Sequence, residues 1–197
     1  MGKKPEIHKI GIMGDGACGK SSLIAAKMER DFDTSKSITI GVDFEFIPLE
    51  ASNPEEGIKQ FLAMDLGGQD RFRPVQDAYI KGIKGALIVF DLSRYRSFSN
   101  MLAWIEMVIK ENVEIPILLV GNKVDLIDHE QVDQYEEDLI AFYEQYKDEC
   151  NLYGYILTSA KNGFNVKETF AICEEMILLE EKSSREILQK NFQSLLA

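Results

Sequence analysis

The stretch Ile7–Met28, IHKIGIMGDGACGKSSLIAAKM, decides the fold of this chain. Its first part, Ile7–Met13, is an apolar run typical of a buried strand, and Ser21–Met28 has the composition of a helix. Between them, Gly14–Ser21 matches the pattern G-x-x-x-x-G-K-[ST]. In a strand–loop–helix setting this pattern predicts a loop whose backbone N–H groups surround phosphate oxygens.

The chemistry of such a loop depends on three kinds of residue. Glycines allow the backbone to approach the phosphates closely. Lys20 supplies a compact positive charge to the β- and γ-phosphates, and the Ser21 hydroxyl is a suitable oxygen ligand for Mg²⁺. The alternative is a glycine-rich turn without a ligand, and the loop alone does not choose between ATP and GTP. The residues predicted to contact the nucleotide here are Gly14, Asp15, Gly16, Ala17, Cys18, Gly19, Lys20, Ser21 and Ser22.

Farther along the chain, apolar runs alternate with helical patterns, which predicts an α/β fold with a mainly parallel six-stranded sheet and helices on both faces. Val42–Leu49 and Ile58–Leu66 are joined by a short polar link, so we expect one antiparallel hairpin at an edge of the sheet. The other predicted strands are Gly85–Asp91, Ile115–Val120 and Tyr153–Leu157. The other predicted helices are Phe98–Ile109, Gln131–Tyr146 and a helix from Val166 onward.

The tetrapeptide Asn122-Lys123-Val124-Asp125 directly follows a predicted strand. A carboxylate at Asp125 can accept two hydrogen bonds from guanine, one from the ring N–H and one from the exocyclic amino group. Adenine lacks a matching pair of donors, and a buried carboxylate left unpaired costs roughly 2–5 kcal/mol. A polar turn is the alternative for the tetrapeptide alone, but together with the phosphate loop it indicates a guanine nucleotide.

The overall composition excludes several other classes of function. The chain has 197 residues, a formal net charge of -11 and a pI of about 4.7, which disfavours nucleic acid and polybasic membrane binding. Cys18, Cys150 and Cys173 lack paired or metal-ligand spacing, so we expect reduced thiols and a cytoplasmic location. We expect no integral membrane segment, and no cysteine stands near the end of the given sequence for prenylation. Peripheral membrane association stays open.

These motifs, in this order, resemble the Ras superfamily of small GTPases over nearly the whole chain. Asp65-Leu66-Gly67-Gly68-Gln69 resembles the family's D-x-x-G-Q segment, and Thr39 matches the effector-loop threonine. Thr158-Ser159-Ala160-Lys161 resembles the loop that closes over the base, and Phe32 stands where the family places a ring against guanine. The resemblance implies the three-layer P-loop NTPase fold and a GTP hydrolase that acts as a signalling switch.

The resemblance also implies roles for individual residues. Gln69 would orient the attacking water, the Thr39 carbonyl would hold the same water, and the Gly68 N–H would contact the γ-phosphate. Lys20, already assigned to the phosphates, is counted with Gln69 and Thr39 as catalytic. The implied metal ligands are Ser21, Thr39 and, through a water, Asp65. The implied base-binding residues are Asn122, Lys123, Asp125, Ser159, Ala160 and Lys161.

Different motifs of the chain resemble different subfamilies. The switch regions are most similar to Rab proteins, Gly14–Lys20 resembles the Rho phosphate loop, and Leu66-Gly67-Gly68 is closer to Arf. This mixture is typical of a divergent or early-branching member, including a prokaryotic one. Because no arginine stands where larger relatives supply one in cis, we expect slow turnover that a partner's arginine accelerates. Effectors, exchange factors and activating proteins are expected to bind a monomer through 33–41 and 67–79.

Two other functions remain as alternatives: a nucleotide-bound scaffold that does not hydrolyse GTP, and a P-loop kinase or ATPase. Ser21, Thr39 and Gln69 argue against the scaffold, and the tetrapeptide that begins at Asn122 argues against the kinase. The sequence also predicts a division into a GTPase domain, residues 1–180, and an amphipathic helical tail, residues 181–197. The apolar residues at helical spacing in that tail are Ile187, Leu188, Phe192, Leu195 and Leu196.

Overall fold

The computed structural model describes residues 7–32, 41–49, 60–66 and 79–195. Within these ranges the strands are β1 (Ile7–Met13), β2 (Val42–Pro48), β3 (Gln60–Leu66), β4 (Gly85–Asp91), β5 (Ile117–Asn122) and β6 (Leu152–Leu157). The helices are α1 (Lys20–Lys27), α2 (Tyr95–Ser99), α3 (Met101–Glu111), α4 (His129–Cys150) and α5 (Val166–Leu195). A single turn of 3-10 helix, Val124–Leu126, follows β5.

The strands form one mixed sheet in the order β2-β3-β1-β4-β5-β6. The β2 strand is antiparallel to β3, with Val42 opposite Leu66, and the other neighbouring pairs are parallel. The predicted mainly parallel sheet with an antiparallel edge pair is therefore confirmed. The link between β2 and β3 lies mostly outside the described residues.

The central strand β4 is buried along its whole length, which explains its continuous apolar sequence. On one face, Phe90 packs against Phe98 of α2, with ring centroids 5.5 Å apart, and against Tyr135 of α4 at 6.2 Å. On the other face, Val89 belongs to the apolar cluster that contains Leu23 of α1 and Phe170 of α5. Helices thus cover both faces of the sheet, as the alternation of patterns predicts.

Two of the predicted helices differ from the observed bounds by more than one residue. The predicted helix Phe98–Ile109 is instead a pair, α2 and α3, joined at Asn100. Its start was missed because Arg96 and Ser97 are polar and Tyr95 is exposed, so apolar periodicity begins only at Phe98. The helix α4 is longer than the predicted Gln131–Tyr146 because Asp128 caps its first turn and Asn151, at φ 44°, ends it.

The last helix, α5, runs from Val166 to Leu195 as one helix of 30 residues. Among the described residues, none of the helices combines the length and apolar character that crossing a membrane requires. The division of the chain at residue 180 stays a prediction.

Candidate functional site

Four segments that follow parallel strands meet at one edge of the sheet. They are the loop after β1, the start of α2 after β4, the turn after β5 and the loop after β6. In open α/β sheets, ligands bind at the carboxyl ends of the strands, where such segments converge. The predicted phosphate loop and the predicted base-binding residues therefore belong to one site.

The bend of the phosphate loop depends on glycine at two positions. Gly14 has φ +143°, and a Cβ there would lie 1.9 Å from the Val89 carbonyl oxygen. Gly19 has φ +93°, and its Cβ would lie 2.3 Å from Nδ2 of Asn122. Both φ values are unfavourable for residues with side chains, and both contacts are too short for a Cβ. Glycine at these positions lets the loop lie close to β4 and to the turn after β5.

The Lys20 side chain turns back over the loop at the start of α1. It is 5% exposed, and its Nζ donates to the carbonyl oxygens of Gly14 at 2.8 Å and Asp15 at 2.9 Å. Burial lowers the pKa of Lys20, and the negative charge of Asp65 opposes that shift. A buried ammonium beside a helix N-terminus favours an anion such as phosphate.

The outer side of the loop is held by side chains from other elements. Three successive loop carbonyl oxygens accept hydrogen bonds: Gly16 from Nη2 of Arg94 at 2.8 Å, Ala17 from Nζ of Lys123 at 2.8 Å, and Cys18 from Nδ2 of Asn122 at 2.9 Å. Each carbonyl shares a planar peptide group with the N–H of the next residue, and the two point in opposite directions. Holding the three carbonyls therefore also fixes the direction of three N–H groups. The side chains of Asn122 and Lys123 thus support the phosphate loop.

The end of β5 and the turn after it are also joined to the loop after β6. The Asn122 Oδ1 atom accepts a hydrogen bond from the Ala160 N–H at 3.0 Å. The Asp125 Oδ1 atom accepts one from the Ser159 hydroxyl at 2.6 Å, while Nζ of Lys161 lies 3.7 Å from Asp125 Oδ2. Predicted base-binding residues that are far apart in sequence are therefore brought together, and the Asp125 carboxylate has a fixed orientation.

The predicted metal ligands Ser21 and Asp65 are in contact, since the Ser21 hydroxyl donates to Asp65 Oδ2. A cavity of about 60 Å³ adjoins both residues, and its wall also includes Asp43, Glu45 and Arg30, whose guanidinium is paired with Glu45. The Ser21 hydroxyl and the Asp65 carboxylate are hard oxygen donors of the kind that Mg²⁺ takes. These residues fit Mg²⁺.

Other predicted site residues vary in how far the structure describes them. Ser22 is half-buried on α1, and the Phe32 ring is 44% exposed in the segment that follows α1. Thr39, Gly68 and Gln69 lie outside the described residues, so their roles stay predictions. Cys18 is fully buried, and burial raises the pKa of its thiol, which fits the interpretation of a small filler.

Sequence reasoning missed the contribution of β4 and the segment after it. Asp91 is 1% exposed and accepts hydrogen bonds from Lys123 Nζ at 2.6 Å and Arg94 Nε at 2.9 Å. Burial opposes its charge, but the hydrogen bonds from Lys123 and Ser93 outweigh that effect and lower the pKa of Asp91. The sequence signal that could have identified Asp91 was a carboxylate at the end of an otherwise apolar strand.

Asp15 was assigned to nucleotide contact, yet its side chain faces α3. Its two carboxylate oxygens accept hydrogen bonds from Nε1 of Trp104 at 2.9 Å and from Nδ2 of Asn100 at 2.8 Å. Trp104 is 3% exposed, as expected for a core residue, but its N–H contacts the loop. Only the backbone N–H of Asp15 is left for a phosphate.

The fold and this site define a P-loop nucleotide-binding protein: a mixed α/β sheet with a glycine-rich loop and a helix N-terminus at its carboxyl edge. The Ras family model matches residues 9–178, and the chain belongs to the Ras family. Members of this family are GTP hydrolases, and this protein is a small GTPase with a switch function.

Several similar curated proteins are named as Ras-related Rab proteins. The chain is 33% identical to Ras-related protein RABA5e of Arabidopsis thaliana over 180 residues, which cover 91% of this chain and 76% of that protein. It is 35% identical to RABA5b of the same plant over 178 residues, 87% and 77% of the two chains. It is 36% identical to Rab-11C of Dictyostelium discoideum over 167 residues, 83% and 69% of the two chains. The Rab-like character predicted from the switch regions is confirmed.

Proposed function

We propose that this protein binds GTP and GDP together with Mg²⁺ and hydrolyses GTP slowly to GDP and phosphate. The observation that carries the proposal is the Asp125 carboxylate, held by Ser159 at 2.6 Å at the sheet edge that bears the phosphate loop. An acceptor fixed there suits the two adjacent donors of guanine. The bound nucleotide would then determine which partners the protein binds.

The residues present suit both the triphosphate and its metal ion. Ser21 and Asp65 would hold Mg²⁺ together with Thr39, which the family resemblance supplies. The ion, when bound, neutralises charge on the phosphate oxygens. Lys20 would stabilise the negative charge that builds on the leaving phosphate, since its buried ammonium already lies on the loop.

Hydrolysis itself needs a positioned water. Phosphoryl transfer has a loose transition state, so the protein contributes mainly positioning and electrostatic stabilisation. Gln69 would orient the water, the Thr39 carbonyl would hold it, and the Gly68 N–H would bind the γ-phosphate. These three roles rest on the family resemblance.

We expect slow intrinsic turnover because the one arginine seen on the loop in the described part of the chain is already engaged. Arg94 donates to the Gly16 carbonyl and to Asp91, so its guanidinium supports the outer side of the loop. A partner protein that inserts an arginine beside Gly16 would accelerate the reaction. Fast single-turnover hydrolysis by the protein alone would contradict this expectation.

An apolar surface on β2 suits an effector that recognises the GTP form. Phe44 is 44% exposed and Phe46 is 56% exposed, and the Phe44 ring lies 5.9 Å from that of Tyr79. Val42 and Tyr79 are half-buried against the core, so they serve packing as well. In the sequence, this surface directly follows the proposed switch segment 33–41. Exchange factors and activating proteins would bind at or near the same surface.

The cysteines support a cytoplasmic location. All three, Cys18, Cys150 and Cys173, are free and buried, as expected of a protein that stays in a reducing compartment.

The decisive experiment identifies the nucleotide and follows its conversion. The purified protein is denatured to release bound nucleotide, and single-turnover conversion of GTP and ATP is then measured with Mg²⁺. Bound GDP and turnover of GTP alone would support the proposal. Bound GTP that persists would favour the non-hydrolysing scaffold. A preference for ATP would contradict the proposal that Asp125 recognises guanine.

Replacing Gln69 with Leu tests the hydrolytic step. We expect Gln69→Leu to bind GTP as the original protein does and to hydrolyse it at least about a hundredfold more slowly, because the water loses its orienting group. Gln134→Leu, at an exposed glutamine of α4, is the matched control. Equal single-turnover rates in the Gln69 variant and the original protein would remove Gln69 from the mechanism.

A further inference from the structure

The segment from Arg94 to Trp104, which follows β4, contacts the phosphate loop in addition to the turn after β5. Three of its side chains contact the loop: Arg94, Asn100 and Trp104. We propose that these three residues form a clasp that keeps the loop in its nucleotide-binding shape and slows nucleotide release. The inference rests on the proposed function, because it concerns how tightly the same site holds GDP.

The first part of the clasp fixes the Asp15 carboxylate. Each of its oxygens accepts one hydrogen bond, from Trp104 at 2.9 Å and from Asn100 at 2.8 Å. An acidic side chain in a phosphate loop would repel the anion if it were free to turn inward. The two donors hold its charge toward α3 and leave the backbone N–H in the loop.

The second part of the clasp is Arg94. Its Nη2 donates to the Gly16 carbonyl at 2.8 Å and lies 3.4 Å from the Cys18 sulfur, while its Nε donates to Asp91 at 2.9 Å. Asp91 also accepts from Lys123, which contacts the neighbouring carbonyl of Ala17. One buried carboxylate therefore orients two cations on successive loop carbonyls.

The helix that carries Trp104 is packed into the core. Trp104 is 3% exposed, and its helix α3 packs in the same core cluster as Phe90 and Phe98. The Ser97 hydroxyl links α2 to the end of β4 by accepting from the Asp91 N–H at 2.9 Å. Donors mounted on packed elements lose little freedom when they bind the loop, so they stabilise one loop shape.

Removal of the indole N–H tests the Asp15 contact. Trp104→Phe keeps an aromatic ring in the core, and we expect it to release a fluorescent GDP analogue roughly tenfold faster, the effect of one lost hydrogen bond to a charged group. Asn100→Ala, at a half-buried position, repeats the test with less disturbance of the core. Asp15→Asn combined with Trp104→Phe should cause less than the sum of the separate effects, since the pair shares one contact.

Arginine substitutions supply a matched pair. Arg94→Met should also accelerate release of the analogue by roughly tenfold, because it removes a charged donor from the loop. Arg96→Met is the control, since Arg96 is exposed two residues away and has no hydrogen bond to the loop among the described residues. It should release at the original rate.

If Arg94, Asn100 and Trp104 only stabilised the fold, the variants would behave differently. Lower melting temperatures of the nucleotide-free variants, with release rates like that of the original protein, would overturn the clasp and leave the proposed function intact. Equal acceleration by Arg94→Met and Arg96→Met would overturn it as well. Failure of the original protein to bind GDP would contradict the proposed function and the clasp with it.

Discussion

At the scale of single residues, the guanine interpretation depends on how the Asp125 carboxylate is held. Ser159 donates to one oxygen at 2.6 Å, and Lys161 lies 3.7 Å from the other. The side chain follows β5 at the same edge as the phosphate loop. A carboxylate with a fixed direction loses little freedom when it accepts two further hydrogen bonds from a base.

Asp125→Asn should therefore weaken GDP binding by roughly a hundredfold or more, because the amide replaces a charged acceptor by a weaker one and presents N–H to the donors of guanine. The measurement is the dissociation constant for GDP by fluorescence titration. Asp133→Asn, at an exposed carboxylate on α4, makes the same chemical change away from the site and should bind normally. Affinity unchanged in the Asp125 variant would remove this residue from base recognition.

At the scale of an element, α4 begins directly after the base-binding turn. Asp128 caps it by accepting from the Gln131 N–H at 2.9 Å, and the Gln131 side chain accepts from the Asp128 N–H at 3.2 Å. Each bond satisfies a backbone N–H group at the start of the helix that has no partner within the helix. This capping box fixes where the turn after β5 ends and the helix starts.

Replacing Asp128 with Ala should lower the free energy of unfolding by about 1 kcal/mol through loss of the cap. Urea unfolding of the nucleotide-free protein measures this. Glu137→Ala, an exposed change within the same helix, should cost little, because alanine is the best helix former. If both variants were equally stable, the cap would have no measurable role in this fold.

At the scale of the whole molecule, the candidate site joins elements that are distant in sequence. Four segments, which follow β1, β4, β5 and β6, contribute contacting side chains at one edge of the sheet. Because a nucleotide bound there would contact parts of the chain that separate on unfolding, its binding free energy adds to the stability of the fold.

GDP with Mg²⁺ at about a hundred times its dissociation constant should stabilise the protein by about 2.7 kcal/mol. For a domain of this size that raises the melting temperature by roughly 5–10 °C. ADP at the same concentration is the control and should have little effect, since adenine lacks the paired donors for Asp125. Equal shifts with GDP and ADP would show that the site does not distinguish the bases.

The sequence by itself determined the elements whose signals are local. The loop Gly14–Ser21, the tetrapeptide after β5 and the apolar run of β4 can each be recognised within a few neighbouring residues, because turn chemistry and strand burial constrain short segments. The alternation of apolar runs and helical patterns along the chain was also sufficient to predict the sheet and its two helical layers. Helix ends were less predictable, since capping by Asp128 depends on side-chain hydrogen bonds rather than apolar periodicity.

Only the tertiary structure decided how the phosphate loop is held. Trp104 donates to Asp15 across 89 positions of sequence, and Arg94 donates to Gly16 across 78. In the sequence, Trp104 is an apolar residue at helical spacing, and Arg94 is a charged residue near the end of a strand. Such contacts arise when the sheet brings the segments after β1 and β4 side by side, and no local spacing encodes them.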